Sequence, residues 1–135
     1  MKALITAIVL MMTLMAAGVR AGDEPQPVTD YAYYGFEPEI VTNYISGRKK
    51  LGFVRVSVEL MVKSPDDLLV MEHHDPLLRA AIVEILGNQQ EEQIKSMAGR
   101  EDIRRECYDT VNELLKQETG QARVVNLLFT RYLYD

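Results

Sequence analysis

The sequence has no tryptophan and a single cysteine, Cys107, in 135 residues. One thiol cannot build a disulfide scaffold, and it excludes any Cys-rich zinc module. Basic charge is also in the minority. Lys and Arg number 15 against 20 Asp and Glu, a formal net charge of −5. A nucleic-acid binder carries the opposite balance or a basic stripe. The run Arg48-Lys49-Lys50 is too short to supply one, so no nucleic-acid partner is expected. There is no Gly-rich phosphate loop and no strand-to-helix serine elbow. What is present is ordinary globular composition, 47% hydrophobic and 26% charged. That excludes a disordered chain, and the length suits one domain.

One long apolar run occurs, and it lies at the N-terminus. Ala3 to Ala17 is uncharged, Lys2 precedes it, and Val19-Arg20-Ala21 follows with a small residue at its end. This is the charged, apolar and cleavage-site order of a secretory signal peptide, with cleavage expected after Ala21. The run is short for a membrane span, which takes roughly 20 apolar residues. A short uncleaved single-pass anchor is the alternative. Both readings export the chain from Gly22 onward. No cysteine lies near position 21 to carry a lipid. Loss of residues 1–21 would remove Lys2 and Arg20 and move the net charge from −5 to −7.

The rest divides into a linker over 22–32 and a domain over 33–135. Gly22 to Asp30 is polar, holds two prolines and lacks periodicity, as flexible linkers do. A strand is expected over about Glu39–Ile45, limited upstream by Pro38. After the polar turn Ser46 to Lys50, Val54, Val56, Val58, Leu60 and Val62 alternate with Arg55, Ser57, Glu59 and Lys63. Period-two alternation of this length is a half-buried strand. Ser64-Pro65-Asp66-Asp67 opens a short helix towards His73, and Asp75-Pro76 repeats the device for a second. That second helix carries Leu78, Ala81, Ile82, Ile85 and Leu86 at helical spacing and stops at Gly87-Asn88. Gln90 to Met97 adds a turn or two. The longest helix starts near Arg100, with a stripe of Ile103, Cys107, Val111, Leu114 and Leu115, and Gly120 closes it. Ala122 to Tyr134 ends the chain as a strand. The class is α+β: a small three-to-four-stranded, mainly antiparallel sheet with helices packed on one face, order β-β-α-α-α-β.

No catalytic, cofactor or metal constellation emerges. His73-His74-Asp75 is the tempting cluster, but adjacent helix positions diverge by about 100°. No third ligand stands at a familiar spacing, so a helix-end role is expected. Cys107 falls on an apolar helix stripe, where a thiol packs as core. The acids among Glu84 to Glu106 alternate with Lys95, Arg100, Arg104 and Arg105, the mixture of a solvated helix face. The aromatic residues ask for a separate reading. Tyr31, Tyr33, Tyr34 and Phe36 crowd the start of the domain, and Tyr132 and Tyr134 its end. They either cover sheet edges or form a partner surface, where Tyr is favoured. The partner reading takes Tyr31, Tyr33, Tyr34, Tyr132 and Tyr134 as interface residues. It expects Tyr34→Asp to weaken self-association while leaving the monomer folded.

Five segments together resemble the periplasmic domain of the flagellar basal-body-associated FliL family. They are Tyr33-Tyr34-Gly35-Phe36-Glu37-Pro38-Glu39-Ile40-Val41-Thr42-Asn43, the alternating Leu51 to Leu60, His74-Asp75-Pro76-Leu77-Leu78-Arg79-Ala80-Ala81-Ile82, Gly99-Arg100-Glu101-Asp102-Ile103-Arg104, and Val125-Asn126-Leu127-Leu128-Phe129-Thr130-Arg131-Tyr132. Their order and spacing run from about Tyr33 to Tyr134. The resemblance implies a stomatin/prohibitin-like domain in the periplasm, associated with the cell inner membrane and the flagellar basal body. It implies partnership with the ion-driven motor stator, and assembly with copies of itself or with a FliL paralogue. It further implies support of flagellar rotation, motility and chemotaxis, with no enzyme activity and no cofactor. The alternative from a different class is an exported ligand-binding or interaction domain unrelated to motility.

Overall fold

The computed structural model describes residues 30–47 and 51–135. The apolar segment 1–21 with its expected cleavage after Ala21, the linker up to residue 29 and Arg48-Lys49-Lys50 lie outside the described residues. The axis of the fold is β3, Gly52–Val62. Its alternation does what the sequence predicts. Val54, Val56, Val58, Leu60 and Val62 are buried on one face, and Phe53, Arg55, Ser57 and Glu59 take the other. On one side β3 pairs antiparallel with β4, Val124–Tyr134. On its other side lie β1, Ala32–Gly35, and β2, Ile40–Tyr44, end to end and both antiparallel to it. The register passes from Gly35↔Glu59 to Ile40↔Val56. The chain therefore carries two extra residues between β1 and β2, and Phe36 from this excursion is buried in the core.

The sheet has four strands, and the element order is β-β-β-α-α-α-β. The strand added to the expected order is β1. It has four residues, too few for periodicity alone to separate it from an aromatic lead-in. The helices are α1, Asp67–Gly87, α2, Glu91–Lys95, and α3, Met97–Thr119. Two of them depart from expectation. The separate helices expected on either side of Asp75-Pro76 are one helix, with Pro76 inside α1. Proline removes one ladder bond and frees a carbonyl four residues back. Here both Pro76 and Glu72 are exposed, so water can satisfy that group. His73 and His74 consequently lie in mid-helix, not at a helix end. His74 Nδ1 sits 2.7 Å from the Val70 carbonyl oxygen. The second departure is the start of α3, which precedes Arg100 by three residues. Ser96 caps it, its Oγ accepting from Gly99 N–H at 2.9 Å. At the other end Gly120 closes α3 as expected, with φ of 84° and its N–H donating to the Lys116 carbonyl at 2.9 Å. That left-handed conformation suits a residue without Cβ.

All three helices cover the same sheet face. Met71, Leu78, Ile82 and Leu86 of α1, Ile94 of α2 and Ile103, Cys107, Val111 and Leu115 of α3 meet the inner stripe of β3 in one core. Polar clamps tie the layers together. Arg123 reaches Asp67 at 2.8 Å, and the Tyr132 hydroxyl donates to the Ile94 carbonyl at 2.7 Å. The opposite sheet face has no covering layer among the described residues.

Candidate partner interface

The backbone of β3 bonds alternately to its two neighbours, as antiparallel ladders require. Phe36 N–H donates to the Val58 carbonyl and Asp135 N–H to the Phe53 carbonyl, each at 3.2 Å. Even-numbered residues of β3 thus face β1 and β2, and odd-numbered ones face β4. The register then decides which backbone groups point away from the sheet. On β4 they are those of Val124, Leu127, Phe129, Tyr132 and Tyr134, opposite even-numbered residues. On β1 they are those of Tyr33 and Gly35.

Part of each edge is closed by the chain itself. The Asn112 carboxamide bonds both backbone groups of Val124, donating to its carbonyl at 2.9 Å and accepting from its N–H at 3.0 Å. Leu127 is treated similarly: its N–H donates to Asn126 Oδ1 at 2.9 Å and its carbonyl accepts from Arg104 at 3.2 Å. On the opposite edge Ile45 exchanges 2.9 Å backbone bonds with Gln89 and Glu91 at the α1–α2 connection. These devices blunt edges that would otherwise template foreign strands. Among the described residues β1, Val41 and Asn43 of β2, and the second half of β4 from Phe129 to Tyr134 stay open.

The five candidate tyrosines fall on or beside β1 and the open half of β4, at opposite edges, so the fold does not gather them into one patch. Alternation also splits them by role. Tyr33 is 52% exposed on the uncovered face, and Tyr31 is exposed beside it. Tyr34 points to the helix side and donates to Asp75 Oδ2 at 2.5 Å. Burial, and then this hydrogen bond, push its phenol up to about 12. Tyr132 is half-buried beneath Arg100, whose guanidinium lies 4.8 Å from the ring centre. Burial raises its phenol to about 12 as well. Tyr134 is exposed and packs edge-on against Tyr132. Tyr34 and Tyr132 are therefore held by the monomer, and the expectation that Tyr34→Asp spares the fold needs correcting. That carboxylate would lose the Asp75 hydrogen bond and stand beside Asp75 and Glu72, whose charges already act on this phenol.

The uncovered face holds a cluster that periodicity alone left unread. Glu39 pairs with Arg131 at 2.5 Å and lies 3.8 Å from Arg55. Beside it Val41, Phe53 and Leu133 are exposed around a depression of about 420 Å³, open to solvent. The available signal was Phe53, a large apolar residue out of phase with the buried stripe of β3. A second shallow groove, about 330 Å³, runs between the start of α3 and β4, past Met97, Arg100, Arg104 and Phe129.

Arg104 organises that groove. It grips Glu101 with two bonds, at 2.7 and 2.8 Å, and extends to Asn126 at 3.1 Å. The Arg104 bonds hold the Glu101 carboxyl at about 2, from an ordinary 4.5. A lowered folded value means that the pair supports the fold above pH 4.5 and loses its effect as pH falls towards 2. Cys107 shows the reverse: burial, then the charge of Glu106, lift its thiol to about 12. It stays protonated at neutral pH, unlike an activated nucleophile. Among the described residues no three His, Cys, Asp or Glu converge as a metal site, and no helix is long and apolar enough to cross a membrane.

Residues 33–134 match the model of a family described as flagellar basal body-associated protein FliL. The chain is also similar to a protein named Flagellar protein FliL from Aquifex aeolicus (strain VF5). The two are 25% identical over 100 residues, which cover 74% of this chain and 59% of that relative. The chain thus spans about three-fifths of the length of the curated relative it matches.

Proposed function

The chain belongs to the FliL family of flagellar basal body-associated proteins, and from that premise we propose that it is a non-enzymatic component placed beside the motor stator. It works there by assembling, with itself or with a FliL paralogue, and so supports flagellar rotation, motility and chemotaxis. The observation that carries this reading is the family match over 33–134. The domain it covers supports the reading by leaving one sheet face and parts of both sheet edges free for contact. Deletion of the gene tests it: swimming under load should fall, and a tagged copy should gather at basal bodies only when stators are present. Normal swimming by a strain lacking this gene and every paralogue would overturn it.

The same reading places residues 22–135 in the periplasm near the inner membrane, with residues 1–21 as signal peptide or short anchor. Removal after Ala21 is expected. The intact mass of the periplasmic protein checks it, and a detergent-extracted species retaining Met1 restores the anchor.

Tyr33, not Tyr34, is the residue that separates assembly from folding. Tyr33→Asp is expected to lower motility and recruitment while leaving the circular dichroism and Tm of the protein unchanged, because exposed substitutions stay within about 0.5 kcal/mol. Wild-type motility in this variant would remove Tyr33 from the interface.

A further inference from the structure

We propose that copies of this chain join head to tail, the β1 edge of one adding beside the open Phe129–Tyr134 stretch of β4 in the next. This rests on the self-assembly reading above and specifies its contact. Among the described residues the chain does not itself close the outward backbone groups of either stretch. Asn112, Arg104 and the Gln89–Glu91 connection take Val124, Leu127 and Ile45 away from an incoming strand. β1 is short, and the open stretch of β4 is of similar length, so one can cover the other.

Charge selects this pairing over two β4 edges meeting. Asp30 and Glu37 flank β1, and Glu72 of α1 lies close to Tyr34. None of the three has an ion-pair partner among the described residues. Above the open part of β4 stands Arg100, also without a carboxylate partner there, stacked on Tyr132 at 4.8 Å. Opposite charges therefore face each other when β1 meets β4, whereas two β4 edges would bring Arg100 against Arg100. Exposed apolar groups border the contact: Met97, 85% exposed, beside β4, and Tyr31 and Tyr33 on β1.

The geometry has consequences. β1 and β4 both run antiparallel to β3, so with the helices of both copies on one side the new pair is parallel. The open stretches lie diagonally, β1 against Glu59–Val62 of β3 and open β4 mostly against Val54–Val58. Successive copies are then staggered by about five residues, roughly 17 Å at 3.3 Å per residue. The contact uses different surfaces on the two copies, so it generates a closed ring or an open chain and not a two-fold dimer.

Cysteine cross-linking of the full-length protein in cells tests this. Tyr33 and Leu133 both project from the uncovered face, and neighbouring strands bring such Cα atoms within disulfide reach. Differently tagged Tyr33→Cys and Leu133→Cys chains are co-produced and oxidised with copper–phenanthroline, Arg131→Cys covering the adjacent register. The expected product is a dimer carrying both tags, absent when either variant is produced alone. The double variant should give a ladder of higher species. Cys107 is buried and should stay out of the products. Dimers from Leu133→Cys alone would overturn the proposal in favour of β4 meeting β4. No mixed dimer from a chain that still sediments as an oligomer would overturn the contact and leave self-assembly standing. A full-length chain that sediments as a monomer and never cross-links would remove both. Gly35→Pro in the Tyr33→Cys chain gives a second measure: it deletes one outward N–H without touching the ladder to β3. Mixed cross-linking should fall on the order of tenfold, the worth of a lost interfacial hydrogen bond, and unchanged yield would count against the contact.

Discussion

Val56→Asp is expected to leave most of the protein unfolded at 25 °C, or at least to lower its Tm by more than 20 °C, roughly the effect of several kcal/mol in a domain of this size. Val56 is fully buried in the middle of β3. It sits between Ile40 and Tyr132 in the register and beneath the helices. A carboxylate there would be shut away from water among apolar side chains. Burying such a group without a partner costs several kcal/mol, and a whole domain is stable by only about 5–15 kcal/mol. Loss of the valine methyl groups adds to the same sign. Glu59→Ala, three residues on, is the control. Glu59 faces the uncovered side, and its loss should change stability by no more than about 0.5 kcal/mol. Thermal melts of the two variants decide the matter, and equal midpoints would mean that β3 does not present this face to the core.

Gly99→Ala is expected to be nearly as damaging, although it adds one methyl group near a helix start. A Cβ at Gly99 would lie 2.1 Å from the Gln93 carbonyl oxygen and 2.6 Å from the Gln93 Cα. Both are backbone atoms of α2, and α2 is anchored by buried Ile94 and by the Tyr132 hydroxyl on the Ile94 carbonyl. The neighbour cannot yield as a flexible side chain would, so the α2–α3 corner must open. Overpacking of this kind costs about 3 kcal/mol, or a fall in Tm of roughly 10–20 °C. The damage should also reach the Arg100 end of the groove beside β4. Gly47→Ala is the comparison, since a Cβ there meets nothing within 4 Å, and its Tm should match the wild type. A Gly99→Ala protein that melts with the wild type would show that the corner is looser than described.

Elements whose signal is local and repeated can be read from the amino-acid order alone. The alternation from Val54 to Val62, the stripe Ile103, Cys107, Val111, Leu114 and Leu115, with Leu114 only partly buried, and the stop at Gly120 each follow from one period or one backbone preference, and each is where it was expected. The family was legible as well, because five short segments kept their order. The sequence could not by itself determine what depends on neighbours. The four residues of β1 become a strand because β3 offers them an edge. α1 passes through Pro76 because the freed carbonyl faces water, which is a matter of how the helix is rotated on the sheet. Tyr33 and Tyr34 are adjacent and chemically identical, yet one is bound to Asp75 and the other is free, because a strand turns successive side chains to opposite faces and only one face is covered. The open and closed parts of each edge were beyond reach for the same reason. Asn112 and Arg104 close β4 from a helix many residues away, and only the packing of α3 on the sheet brings them there.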